Sequence, residues 1–293
     1  PVGNVETQTI EQIWNSDEIQ KWREEFLNDE VKICKQAISN FGCQKYYQHL
    51  NDKIEFSKIQ NAMPQRLDLR LNGKCNLECV MCDVWSQPNG LYDKSDFWKL
   101  GPEKIFPYLI ELDMLGGEPF IQKDTFRLID EVLKVNKECT WGFITNCHYK
   151  ISKNLRKNLE SIKLRHIHLS MDAISAKTYE KIRLKGDFKR VMETIKEFKS
   201  IRDEREKQGA GFALFASMCI QKDNWFELPQ FLTFCDENNF QPIIQELIGR
   251  DHISLASLST KEKENLNEIY RTEIPQEKQH YVTSILNNLG FVG

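Results

Sequence analysis

From Arg66 to Leu247, short apolar runs alternate with amphipathic stretches of helical spacing, which restricts the chain to folds built on a parallel sheet with helical returns. Candidate strands fall at residues 66–71, 110–115, 141–145, 167–171, 212–220 and 242–247. Between them, 125–135, 152–161, 188–205 and 225–237 carry apolar residues at helical spacing, and polar or glycine-bearing turns mark each change. Parallel neighbours need crossovers of this kind. The prediction is an α/β fold, a partial (β/α)6 TIM-like barrel with a small amino-terminal module, its site at the carboxyl ends of the strands.

Composition limits what such a barrel can act on. A chain of 293 residues, at about 150 per domain, makes two domains or a barrel with an appendage. With 40 basic against 43 acidic residues the net charge is -3, so no global field holds polyanions, and no general nucleic-acid binding is expected. No apolar run approaches the roughly 18 residues that span a bilayer. The start Pro1-Val2-Gly3-Asn4 carries no basic-then-apolar signal, so a cytoplasmic chain with no membrane partner is expected. Nine cysteines in a reducing compartment are read first as metal ligands, because their odd number leaves at least one unpaired.

The first 62 residues differ in texture. A tryptophan-bearing helix is expected around 13–27, with Thr9 as its cap, followed by Cys34, Cys43 and a tyrosine-rich stretch. Pro64 forces its predecessor into extended backbone before the first strand, so the boundary is placed at 62/63. The expected division is a module over 1–62, the barrel over 63–250 and a helical extension over 251–293.

Directly after the first strand comes Cys75-Asn76-Leu77-Glu78-Cys79-Val80-Met81-Cys82, spacing C-x3-C-x2-C. Three thiolates on one tight loop can hold three irons of a 4Fe-4S cubane and leave the fourth without a protein ligand. An open iron can bind the amino and carboxylate groups of S-adenosylmethionine, and an electron passed to the sulfonium generates a carbon radical. The triplet is also compatible with a zinc knuckle, a disulfide loop or three core cysteines. Zinc ordinarily takes a fourth ligand, and the nearest histidine in sequence is His49.

Further motifs follow in order, and with them the sequence resembles the radical S-adenosylmethionine superfamily. At the end of the second strand, Gly116-Gly117-Glu118-Pro119 looks like that family's GGEP motif, which receives the methionine amino group. Glycines let backbone approach a ligand, and a carboxylate balances an ammonium. Alone, the motif also reads as a glycine-rich turn. The third strand ends in Thr145-Asn146-Cys147 and the fourth in Ser170-Met171-Asp172. The resemblance implies that Ser170 and Asp172 lie beside the ribose and methionine portion and that Arg183 faces the carboxylate. By the same resemblance Met81, Gly116, Gly117, Thr145 and Asn146 join the cofactor-binding set. Family members often have glycine where this chain has Cys147, which puts a thiol near the expected cavity mouth. Asn224 is read as a helix cap before Trp225 in preference to a ligand contact. Ile244 and Leu247 either pad adenine or fill the core.

The stretch Gly3-Asn4-Val5, Ile10-Glu11-Gln12-Ile13-Trp14-Asn15-Ser16, Arg23, Leu27 and Cys34 is similar to the "GN…IWNS…R" pattern of SPASM and twitch modules. In relatives such modules bind an auxiliary iron-sulfur cluster and usually follow the barrel, whereas here the stretch precedes it. The family pattern has cysteines upstream of its Gly-Asn, so a truncated or processed start is expected. Cys34 and Cys43 are candidate ligands of an auxiliary cluster, but two thiolates fall short of the usual four, and buried structural cysteines are the other reading. Trp14 and Trp22 are assigned to helix core.

The resemblance implies an enzyme that cleaves S-adenosylmethionine reductively and abstracts a substrate hydrogen with the 5'-deoxyadenosyl radical. It implies a reductant such as flavodoxin or ferredoxin, and a substrate that is a peptide, sugar or other natural-product precursor, which is epimerised, dehydrogenated or cross-linked. Cys147 and Cys219 are candidate hydrogen donors, with Ser217, Cys219 and Gln221 expected on one face. A zinc-stabilised, non-catalytic binding protein is the alternative.

Overall fold

Along the penultimate apolar run, Leu214, Ala216, Met218 and Ile220 are buried while Phe215, Ser217 and Cys219 stay partly exposed. Alternation of this kind is what a strand shows when helices seal one face and the other lines an open interior. The strands are β1 (Arg66–Leu69), β2 (Glu78–Cys79), β3 (Glu111–Met114), β4 (Thr140–Thr145), β5 (Lys163–Ser170), β6 (Arg183–Leu184), β7 (Ala213–Ile220) and β8 (Gln241–Glu246). The main sheet runs β1-β3-β4-β5-β7-β8, every pair parallel, while β2 and β6 form a separate antiparallel pair. Neighbours in space are therefore neighbours in the chain, as in an α/β partial barrel whose edges are β1 and β8. The structure is a computed structural model that describes residues 2–28, 57–87, 89–90, 92–93 and 95–291.

The returns form where the periodicity places them, at Lys123–Val135, Lys153–Ser161, Phe188–Glu206 and Leu228–Asn238. In the long helix Phe188–Glu206, Val191, Ile195, Phe198 and Ile201 make one buried stripe. Asp187 caps it by accepting from the Arg190 amide. Phe198 meets Phe120, which packs against Phe143 at 4.7 Å between ring centroids, and Trp141 stacks on Phe143 from the other side. The helix Ala176–Ile182 and the β2–β6 pair are too short to leave a periodic signal, and the sequence reading does not contain them.

Around the amino terminus the single expected helix is two, Ile10–Trp14 and Asp17–Leu27. Thr9 caps the first in a reciprocal box with Gln12, and Ser16 caps the second. The break is fixed by Asn15, whose side chain donates to the Gln60 carbonyl and accepts from the Gln60 amide, both at 2.9 Å, while Arg23 donates to the same oxygen. Chain compactness separates two units, 1–65 with 90–109, and 66–89 with 110–293. The second continues without a break past residue 250: the Tyr270 hydroxyl, fully buried, donates to the Trp225 carbonyl at 3.0 Å. Cys34 and Cys43 lie outside the described residues. Among those described, no helix is long and apolar enough to cross a membrane.

Polar groups of β3 and β5 cluster across β4. Asp113 of β3 reaches across β4 to β5, with its carboxylate 3.1 Å from His166 Nε2 and 2.7 Å from Arg165. A glycine makes this reach possible. A Cβ on Gly142 would stand 1.7 Å from Asp113 Oδ1 and 2.3 Å from His166 Nε2. Burial raises the Asp113 carboxyl, but His166 and Arg165 outweigh it and hold the group below its usual range. His168, two residues nearer the carboxyl end of β5, has its ring in tilted contact with His166 and Phe215, and burial drops its pKa to about 4.

Candidate active site

The carboxyl ends of β1, β3, β4, β5 and β7 gather the residues singled out by motif. After β3 the chain passes through Gly116 and Gly117, both at positive φ (82° and 59°). Gly117 has no room for a side chain, because a Cβ there would lie 2.3 Å from the Lys74 carbonyl oxygen in the cysteine loop. Glu118 amide donates to the same carbonyl, and so does the Gln122 side chain. The GGEP turn and the cysteine loop are thereby sewn together backbone to backbone.

Glu118 is fully buried and joins β3 to β4. Its Oε1 accepts from the Phe120 amide and the Thr145 hydroxyl, and its Oε2 accepts from the Asn146 amide at 2.6 Å. Burial pushes its pKa up to about 7, against the pull of these donors. Three donors leave one lone-pair direction of the carboxylate for a ligand N–H.

Each cysteine of the triplet faces a nitrogen donor. Asn146 Nδ2 lies 3.5 Å from Cys75 Sγ, Arg183 Nη1 lies 3.8 Å from Cys79 Sγ, and the Val84 amide lies 3.4 Å from Cys82 Sγ. Two of the buried thiols elsewhere have the opposite partner: Cys139 and Cys147 each donate S–H to a carbonyl. Sulfur that accepts at all three positions fits thiolate ligation. Burial pushes the Cys79 thiol up to about 11 even with Arg183 beside it, and raises Cys75 as well. Ligation deprotonates such thiols outright. Among the described residues no three Cys, His, Asp or Glu converge on a point suited to one ion, a convergence that a cubane spreading its thiolates over separate irons does not need. The residues present fit a 4Fe-4S cluster.

Arg183 does not stand free to meet a carboxylate. Its Nη2 is 2.7 Å from Asp172 Oδ2, with both side chains nearly inaccessible. Asp172 sits at φ 61°, accepts the Cys219 amide at 2.8 Å and so ties the end of β5 to β7. Asn224 stands at the N-cap position of the turn Trp225–Glu227 but makes no side-chain capping bond there: its fully buried amide donates to the Asp172 and Cys219 carbonyls, and its oxygen accepts from the Gln221 amide. Cys147 is likewise not at a cavity mouth but wholly buried, at φ 59°, the conformation that suits the glycine of its relatives. Ser217 and Cys219 are partly exposed on one face of β7, and Gln221, which follows the strand, is buried. Ser170, Met81, Ile244 and Leu247 are partly exposed at this end.

Residues that motif reasoning missed hold the loop in place. Arg250 donates to the Val80 carbonyl at 3.0 Å, and Asn76 accepts from Asn146 Nδ2 at 2.9 Å. Neither has a local signal, since each partner lies at least 70 positions away in sequence.

Residues 69–204 match the radical SAM superfamily, and residues 1–37 match SPASM, described as an iron-sulfur cluster-binding domain. The barrel thus carries a radical SAM domain, the mark of enzymes whose cofactors are a 4Fe-4S cluster and S-adenosylmethionine, and the SPASM match lies ahead of it in the chain. An enzymatic domain of this kind displaces the zinc-stabilised binding protein as a reading. The chain is 25% identical over 238 residues to the "Probable GTP 3',8-cyclase" of Methanocaldococcus jannaschii, covering 74% of this chain and 72% of that one. It is 27% identical over 143 residues to GTP 3',8-cyclase of Clostridium botulinum, of whose length it spans 43%. Among solved structures, Streptococcus suis SuiB superposes with a TM-score of 0.52 at 17% identity, over 92% of this chain and 68% of that one. The peptide-bound enzyme anSMEcpe superposes at 0.51, also at 17% identity, over 70% of this chain and 60% of that one. These likenesses fix the fold as the partial barrel.

Proposed function

We propose that Cys75, Cys79 and Cys82 hold the 4Fe-4S cluster at which S-adenosylmethionine is cleaved, and that Glu118 receives the methionine ammonium. The observation that carries this reading is the set of three N–H donors aimed at the three sulfurs. When bound, the cluster and S-adenosylmethionine supply a 5'-deoxyadenosyl radical that abstracts hydrogen from a substrate carbon. The chain itself positions the cosubstrate. Glu118 retains one lone-pair direction beyond its three protein donors, Gly116 and Gly117 let the turn that carries it pack against Arg70 and the cysteine loop, and Ser170 stands partly exposed at the end of β5. An external reductant of the flavodoxin or ferredoxin class provides the electron. The seven described cysteines are all free, as suits a reducing cytoplasm.

Anaerobic reconstitution tests the assignment. The wild type should bind four irons at these cysteines and form 5'-deoxyadenosine under dithionite. The Cys75→Ala, Cys79→Ala, Cys82→Ala variant should form none, and 5'-deoxyadenosine from that variant would refute the assignment. Iron retained by it would belong to an auxiliary cluster, for which Cys34 and Cys43 are the candidate ligands.

For the substrate we favour a peptide, because SuiB, of the same fold, has been solved bound to its precursor peptide SuiA. The sequence likeness to GTP 3',8-cyclases supports a second reading, a purine nucleotide. GTP that accelerates 5'-deoxyadenosine formation would decide for the nucleotide. Of the two candidate hydrogen donors, Cys219 is the one the interior exposes, while Cys147 is sealed with its S–H on the Thr145 carbonyl. Turnover in deuterated water should label product in the wild type and not in Cys219→Ala; label in the variant would remove Cys219 from the reaction.

A further inference from the structure

Arg183 lies where an electrostatic control of the cluster would be built. The short β2–β6 pair sets Cys79 opposite Arg183 in register, and the Val80 amide donates to the Ile182 carbonyl at 2.9 Å. Beside the other register pair, Glu78 opposite Leu184, a solvent-exposed ion pair joins Lys185 to Glu78. The guanidinium is thus fixed to the cysteine loop through backbone as well as through its own side chain.

Its far side is fixed too. Asp172 takes Nη2 at 2.7 Å and is itself anchored by the Cys219 amide, while Asn224 holds the Asp172 carbonyl. The positive group consequently stands between the Cys79 sulfur and the carboxylate, in contact with both and shielded from water. Neither Nη1 nor Nη2 can turn away without leaving a buried charge unpaired. A surface ion pair would relax around a new electron; this one is held rigid.

We propose that Arg183 raises the reduction potential of the cluster, with Asp172 as the counter-charge that limits the rise. The inference rests on the reading that Cys75, Cys79 and Cys82 are the cluster ligands. Reduction adds one negative charge, so a fixed cation and an N–H···S contact at one thiolate favour the reduced over the oxidised cluster. The effect is large because the site is dry and the dielectric low. Asp172 is one contact further from the sulfur, so it offsets the guanidinium without cancelling it.

The test is a redox titration of the reconstituted protein, followed by the electron paramagnetic resonance signal of the reduced cluster. Replacing both partners, Arg183→Gln with Asp172→Asn, removes two charges at once and strands neither. The reduction equilibrium should fall about tenfold, which is about 59 mV for one electron. Asp172→Asn alone should move the potential the other way, because the guanidinium then loses its counter-charge while the cluster's own negative charge still pairs with it. Arg183→Lys, which keeps the charge, should stay nearer the wild type than the double variant does. Reduction equilibria within twofold of wild type, about 18 mV for one electron, in both the double variant and Asp172→Asn, at equal iron and sulfide content, would overturn the proposal and leave the ligand assignment standing. Should the double variant fail to take up iron, the direction of the shift in Asp172→Asn decides alone. A wild type that takes up no iron at the three cysteines would instead overturn the ligand assignment itself.

Discussion

Replacing Asp172 with alanine should lower the stability of the metal-free protein by about 3–5 kcal/mol, the loss that follows when one partner of a buried ion pair is removed. The loss has two sources. Arg183 is left as an uncompensated charge that water does not reach, and the Cys219 amide loses the acceptor that ties β7 to the end of β5. Urea denaturation monitored by far-ultraviolet circular dichroism gives the difference directly. Exchanging both residues for apolar ones, Asp172→Ala with Arg183→Met, should recover most of it, because well-packed apolar pairs commonly match or exceed buried ion pairs. If Asp172→Ala alone falls within 1 kcal/mol of wild type, the pair is not what holds this end of the barrel.

The second large effect is a dependence on pH. Folding raises the Glu118 pKa from 4.5 to about 7 through burial, so the folded protein binds this proton more tightly than the unfolded chain does. The stabilisation is complete below pH 4.5 and disappears as pH rises through 7. Its size is about 3 kcal/mol at roughly 1.4 kcal/mol per unit. Glu118→Gln cannot titrate, and its amide nitrogen must confront one of the three donors, which costs about 1–3 kcal/mol. The stability gap between wild type and variant should therefore be wide at pH 5 and narrow by up to about 3 kcal/mol at pH 8. A gap that is constant or widens across this range would contradict the burial argument. Affinity for S-adenosylmethionine should run the other way and tighten as pH passes 7, since only the ionised carboxylate balances an ammonium.

How legible these features were depended on the distance over which each is decided. The main strands were visible because burial of one or both faces writes itself into consecutive residues, as in β7, and the cysteine triplet was visible because its ligands share one loop. Asn146 on Cys75 and Arg183 on Cys79 were not, for they join positions 71 and 104 residues apart. Asn224 misled for a related reason. An asparagine ahead of a helical turn has the composition of a cap, yet its side chain is spent on two strand ends that only the folded sheet brings near. Cys147 looked reactive because it replaces a glycine in a ligand-lined turn, but its left-handed backbone sits in a sealed layer. The split at Asn15 was hidden because the helix-breaking partner, Gln60, lies beyond a long stretch of chain.

The first compact unit is assembled from two separated pieces of chain, 1–65 and 90–109, with the cysteine loop lying between them in sequence. It is therefore not a cassette that can be cut away at a single junction. Deleting the first 65 residues would strand Asp96, which receives the Ile10 amide, and Lys104, which pairs with Glu11, on an excursion of the chain that begins only a few residues after Cys82. Exchanging either unit for its counterpart in another protein requires two crossing points rather than one. A lineage that exchanges such pieces must exchange the segment after the triplet along with them.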